Sequence, residues 1–262
     1  PLRAIQLRTA LWRFAVRAGD AEPACARLVR LLEGHGNDLD PLSRGDAYNA
    51  AGALAFSSNR RIDAARWYER ALAVRRESND PQRIAGSLLN VATVHALRNE
   101  RDDAMAFLDE ALAVVDRSDL PWLVAGIQVN RGHVLFDLGA YDEAGEAYER
   151  GLGRFLELGD ADAVIGTAVG LVRCAAANGD RNAVMVGVHN LAEFMVTMTP
   201  TDLPGLLPIF ESLERQLERA EHAKAARVVA ELRSAHLIPA SRTPARTASA
   251  TPPALVFEPL AI

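Results

Sequence analysis

The sequence predicts an all-α chain built as an array of stacked helix hairpins, and three observations lead there. The first is a period of 40 residues. The stripe Ala144, Tyr148, Gly151, Leu152 follows the turn glycine Gly139 and returns as Ala104, Leu108, Ala111, Leu112 after Asn99. It returns again as Ala64, Tyr68, Ala71, Leu72 after Asn59, and as Ala24, Leu28, Leu31, Leu32 after Gly19. Gly179, Val184, Val188 and Leu191 keep the same register more loosely. Self-similarity at such a period marks supersecondary units that bury their apolar faces on one another. The second observation is the spacing within each stripe, i, i+4, i+7 and i+8, which is one face of a helix. The third is the punctuation, because glycine or asparagine, the residues that tolerate a left-handed backbone, recurs midway through every repeat.

Each repeat therefore reads as two helices, A and B. The first A helix runs from Leu2 to about Ala18 and is stopped by Gly19. In the second repeat Asp40-Pro41 supplies an N-cap and a proline in the first turn, and Asn59 ends helix A. Asp80-Pro81 and Asn99 do the same in the third, and Pro121 and Gly139 in the fourth. The link Leu158-Gly159-Asp160 opens the fifth, whose A helix stops at Gly179. Small residues Gly52, Ala92 and Gly132 recur within helix A, where close approach of a neighbour is expected, with Trp12 and Val172 in the outer repeats. Beyond Thr199-Pro200 the register slips. Residues 203–220 and 221–237 form a degenerate sixth pair with a Glu/Arg-rich outer face, as a terminal cap requires. The repeat domain thus covers residues 1–238. Residues 239–262 read as a Pro/Ala/Thr-rich tail with an apolar tip of Leu255, Val256, Phe257, Leu260 and Ile262.

Composition narrows the function. The chain carries 29 basic and 34 acidic residues, a net charge of −5, which gives no electrostatic reason for direct nucleic-acid binding. No apolar run approaches the roughly 20 residues that span a bilayer. No secretory signal opens the chain, and a cytoplasmic location is expected. Because the sequence begins with Pro1, it is expected to be a segment of a longer protein whose upstream domain is missing. Cys25 and Cys174 fall in the first and fifth repeats and are expected to be buried thiols. Catalytic residues and cofactors are not expected: no phosphate-binding loop, nucleophile elbow or His-Glu-x-x-His occurs. A metal is not expected either, since His95 and His133 have no cysteine or acid cluster at ligand spacing, and core or groove packing is the reading for both.

Asn130-Arg131-Gly132 followed by Gly-Ala-Tyr-Asp-Glu-Ala and Ala-Tyr-Glu-Arg-Gly-Leu resembles the tetratricopeptide repeat. So does Asn90-Val91-Ala92 followed by Asn99-Glu100-Arg101-Asp102-Asp103-Ala104. The resemblance covers residues 2–197 well and 202–237 weakly, with a unit longer than the family's common one of about 34. The longer unit is similar to repeats in the C-terminal arms of large bacterial ATPase-linked transcription activators. It implies an α-solenoid, a right-handed superhelix of five clear repeats plus the degenerate sixth, with A helices lining a concave groove.

Carried onto this chain, the inward positions include Arg13, Asn49, Phe56, Asn90, Thr93, Asn130, His133, Phe136 and Arg173. Asn49, Asn90 and Asn130 could hold an extended peptide through amide donors and acceptors, or could instead bond adjacent repeats. Phe56 and Phe136 offer apolar anchors, and Arg13 or Arg173 could meet a carboxylate. The implied function is a non-catalytic protein- or peptide-binding scaffold, the sensor or interaction arm of a larger regulator. Two alternatives stand beside it: a self-occupied or self-assembling module whose tail fills its own or a neighbour's groove, and a small-molecule effector domain.

Overall fold

A computed structural model describes residues 1–78, 80–115, 119–201 and 203–237. The tail expected at 239–262 lies outside the described residues. Among these, the chain is all helix. The elements in order are α1 (Leu2–Ala10), α2 (Trp12–Arg17), α3 (Ala21–His35), α4 (Pro41–Ser57), α5 (Arg61–Arg76), α6 (Pro81–Leu97) and α7 (Arg101–Val115). They continue with α8 (Pro121–Asp137), α9 (Tyr141–Leu158), α10 (Ala161–Ala177), α11 (Arg181–Thr197), α12 (Leu203–Arg219) and α13 (Ala223–His236). The fold is an α-solenoid of helix hairpins. It divides into two compact units, Pro1–Leu123 and from Val124 onward, with the division inside α8.

The expected punctuation sets the hairpins. Asp40 and Asp80 cap their helices by accepting from the amides of Ser43 and Arg83 at 3.0 and 3.2 Å, and Asp160 does so from Ala163 at 3.1 Å. Gly19, Asn59, Asn99, Gly139 and Gly179 all have positive φ, between 58° and 80°. Each turn closes with a long-reach backbone bond, such as Arg60 N–H to Ala55 C=O at 2.9 Å, Glu100 N–H to His95 C=O at 3.0 Å and Ala140 N–H to Leu135 C=O at 3.0 Å. This is the Schellman arrangement, and it fixes the direction in which helix B leaves. In the sixth pair Glu221 takes the left-handed place, with φ 61°, which a search for Gly or Asn misses.

In the first unit α4 packs on α5, α5 on α6 and α6 on α7, while α1 and α2 lie against α3 and α4. Ala64 and Ala104 are fully buried here, as Ala144 is in the second unit. The close approach predicted at the small residues is real. A methyl group on Gly52 would stand 2.5 Å from Tyr68 Cδ1, and one on Gly132 2.7 Å from Tyr148 Cε1. Sizes compensate along the repeat, since Gly52 and Gly132 face tyrosines whereas Ala92 is coupled in register with Leu108 and Trp12 with Leu28. The first repeat departs from expectation. Its A helix breaks at Leu11, where φ is −99° and ψ 2°. Its B helix buries Ala21, Cys25, Leu28 and Leu32, while Ala24 is left half-buried.

In the second unit α9 packs on α10, α10 on α11 and α12, and α13 on α11 and α12. Val172, Val184, Val188 and Leu191 share one core with Leu206, Phe210, Leu213 and Leu217 of α12 and Ala226 and Val229 of α13. The degenerate sixth pair therefore closes the apolar face of the fifth. Cys25 and Cys174 are buried free thiols, with Cys174 pushed up to about 11 chiefly by burial.

Candidate functional site

At one matching register position of the A helices, a column in sequence, stand Arg13, Ala53 and Thr93 in the first unit and His133 and Arg173 in the second. In the first unit this column is modest. Arg13 is exposed, its guanidinium 5.6 Å from the Trp12 ring centre. Thr93 Oγ1 donates to Leu89 C=O of its own helix at 2.9 Å, and Phe56 is half-buried. Asn49 and Asn90 are only 2% and 5% exposed, and Asn90 Nδ2 donates to Asn49 Oδ1 at 2.9 Å. Of the two roles the sequence left open, this contact is the bond between adjacent repeats. The pair is 41 residues apart rather than 40, and that offset lets the amides meet. In the second unit Asn130 is 7% exposed and donates to Gly126 C=O one turn back at 3.0 Å.

The second unit gathers more chemistry. Tyr148, buried between Gly132 of α8 and Gly170 of α10, brings its hydroxyl 2.7 Å from His133 Nδ1. Burial foremost, and then the charge of Arg173, lowers the His133 pKa to about 3, so the ring is neutral and accepts or donates without charge. Burial likewise raises the Tyr148 phenol. The other ring nitrogen, Nε2, is buried without a hydrogen bond. Beside this pair, the Arg173 guanidinium lies 4.4 Å from the Phe136 ring centre, and its Nε donates to Gln216 Oε1 at 2.9 Å. Phe136 in turn packs on Tyr141, ring centres 5.2 Å apart. Arg173 forms no ion pair with an acid among the described residues. The result is a held, half-buried guanidinium on an aromatic shelf, suited to a carboxylate beside an apolar group.

Two features escaped sequence reasoning. Around α1 to α4 lies a cleft of about 400 Å³ with Leu7, Leu11, Trp12, Phe14, Arg8 and Arg27 in its wall. Leu7 and Phe14 are 60% and 67% exposed, and the break at Leu11 shapes this edge. The second feature corrects the expectation that His95 has no accompanying acids. Asn99 reverses the chain so that Glu100 and Asp103 return to His95, with ligand atoms all within 4.8 Å. The signal was present as the spacing His-x4-Glu-x2-Asp across a left-handed asparagine.

The model of the tetratricopeptide repeat family matches residues 44–82 and 84–115. No curated protein sequence matches the chain. Among solved structures, BtubC from P. vanneervenii is similar at 19% identity and a TM-score of 0.62, covering 92% of this chain and 97% of that one. The STAND protein with a tetratricopeptide repeat sensor from Pyrococcus horikoshii has 13% identity and a TM-score of 0.70. There 90% of this chain matches 36% of the other, so the chain spans about a third of that protein. A Rap protein complexed with competence and sporulation factor has 12% identity and a TM-score of 0.63, covering 86% and 73%. At these identities the likeness is one of fold. The family's model thus falls on the second and third hairpins, and residues 44–115 of this chain carry tetratricopeptide repeats within an α-solenoid fold.

Proposed function

We propose that the chain is a non-catalytic scaffold that binds a protein or peptide, and that it serves as the sensor arm of a larger cytoplasmic regulator. The observation that carries this reading is Arg173, stacked on Phe136, anchored by Gln216 and lacking an acidic partner among the described residues. A guanidinium so held has already lost much of its rotamer freedom, so a carboxylate meets it at small entropic cost. The neutral His133 and Phe136 border the same spot and favour an apolar or aromatic neighbour in the bound segment. The fold likeness to a STAND protein with a repeat sensor, and to a Rap protein solved with a bound factor, supports the sensor role.

The test is binding to an immobilised array of acidic-aromatic peptides. R173Q should lose at least tenfold in affinity at unchanged melting temperature, whereas Asn90→Ala with Asn130→Ala should weaken binding less than it lowers stability. Equal binding by R173Q and the parent chain would overturn the assignment. A second reading, a small apolar effector, is favoured by the cleft of about 400 Å³ in the first unit. There Leu11→Arg should abolish binding of a hydrophobic fluorescent probe if the cleft is a site.

A further inference from the structure

We propose that His95, Glu100 and Asp103 form a binding site for a divalent first-row transition metal ion, of the zinc or manganese class. The three side chains come from the last turn of α6 (His95), the residue that precedes α7 (Glu100) and the first turn of α7 (Asp103). The Schellman bond from Glu100 N–H to His95 C=O brings those turns together. Their donor atoms lie within 4.8 Å of one another. In a filled shell with bonds of about 2.1 Å, adjacent ligand atoms stand about 3.0 to 3.4 Å apart, so only rotamer adjustment separates this arrangement from coordination.

The surroundings match what a metal-ligating imidazole requires. His95 Nδ1 lies 2.8 Å from Glu100 Oε2, yet both ring nitrogens and that oxygen are buried with no contact of hydrogen-bond geometry. On the far side Nε2 faces Glu69 Oε1 at 3.5 Å. A rotation of the half-exposed Glu69 side chain would let it accept from Nε2–H, the usual support of a histidine that holds a metal through its other nitrogen. Phe107 packs on the ring at 5.2 Å, and Arg98 holds the other oxygen of Glu100 at 2.8 Å, so both first ligands are oriented by neighbours. One imidazole and two carboxylates select a borderline cation over magnesium or calcium, and the two negative charges balance its own.

The hairpin geometry does not demand this set. The matching places hold Ala55, Arg60 and Asp63 in the second repeat, Leu135, Ala140 and Glu143 in the fourth, and Ala175, Asp180 and Ala183 in the fifth. Each of those turns closes with the same backbone bond without a histidine.

The experiment uses the full chain, freed of metal by chelation, titrated with ZnCl2 by calorimetry and with Co2+ by visible absorption. One ion per chain is expected, with affinity reduced at least tenfold in H95A and in D103N. Asp103 is exposed, so D103N retains the fold and keeps the test decisive should H95A misfold. An absence of Zn2+ and Co2+ binding would mean that His95 and Glu100 are an ion pair only, and would overturn the proposal. Zn2+ binding of equal affinity in the parent chain and D103N would overturn it too.

Discussion

Two tyrosines in the same place of the repeat are predicted to respond in opposite ways to loss of their hydroxyls. Tyr68 and Tyr148 are 80 residues apart, each at most 1% exposed and each wedged on a glycine of the facing A helix. Tyr148 has a hydrogen-bond partner in His133, at 2.7 Å. The matching residue beside Tyr68 is Ala53, and the Tyr68 hydroxyl is buried with no partner. Tyr148→Phe therefore leaves a buried neutral imidazole with neither nitrogen satisfied, at a cost of about 1 to 3 kcal/mol. Tyr68→Phe keeps the ring on Gly52 and removes a desolvated hydroxyl, so the change is between neutral and about 1 kcal/mol stabilising. The two variants should differ by about 1 to 4 kcal/mol, several degrees in Tm. Urea unfolding at neutral pH, followed by helix content, measures both. In a His133→Ala background the cost of Tyr148→Phe should shrink, because the bond is already gone. Equal destabilisation by the two changes would refute the argument, since it would mean that ring packing alone sets both values.

Three further outcomes follow from the same structure. Gly52→Ala should destabilise by about 1 to 3 kcal/mol because the new methyl meets the Tyr68 ring at 2.5 Å, whereas Gly153→Ala, with open space around it, should stabilise by up to about 1 kcal/mol. Asp46 pairs with Arg75, 3% exposed, and also with Arg83. Asp46→Ala should cost about 3 kcal/mol in urea, while breaking the exposed Arg76–Glu110 pair by Glu110→Ala should cost under about 1 kcal/mol. The His133 pKa is depressed to about 3 in the fold, against an unfolded value near 6.5. The unfolded chain then binds the extra proton first, so stability is complete above about 6.5 and falls as the pH drops toward 3. His133→Gln should flatten that limb of the stability profile, and the NMR shift of the His133 ring should stay constant from pH 8 to 5.

Whatever carries the period was legible, and whatever breaks it was not. Gly19, Asn59, Asn99, Gly139 and Gly179 could be assigned a left-handed backbone from residue type and spacing alone, because a Schellman turn requires it of any chain that reverses there. The deep burial of Ala64, Ala104 and Ala144 followed from the same register. The broken first A helix did not, for nothing in Leu11-Trp12 announces a break. Glu221 took the left-handed place against its own preference because the Leu213, Leu217 and Val229 core holds the hairpin closed around it.

The functional column shows why periodicity stops short of a site. Asn49, Asn90 and Asn130 looked like a ladder because their residue type repeats, yet a primary amide is satisfied by whichever partner comes nearest. One residue of offset sent Asn90 to Asn49, and the Asn130 amide donates to Gly126 C=O of its own helix. Two amides already bonded and nearly fully buried must be prised apart before they can grip a guest, at a cost of about 1 kcal/mol or more for each bond. Arg173 faces no such cost. Its aromatic shelf and its Gln216 anchor hold the side chain without neutralising it. Gln216 lies 43 residues ahead in the out-of-phase sixth pair, a partner that no reading of the 40-residue period could supply. Recognition in such an array is therefore expected to depend less on the residue types that recur than on the position where the register slips. On that logic Gln216→Ala, which touches no predicted groove residue except through Arg173, should lower peptide affinity by several-fold with little change in Tm. A loss in Q216A that matches R173Q in size would assign the anchoring to that one bond. Unchanged affinity would show that the Phe136 shelf alone positions the guanidinium.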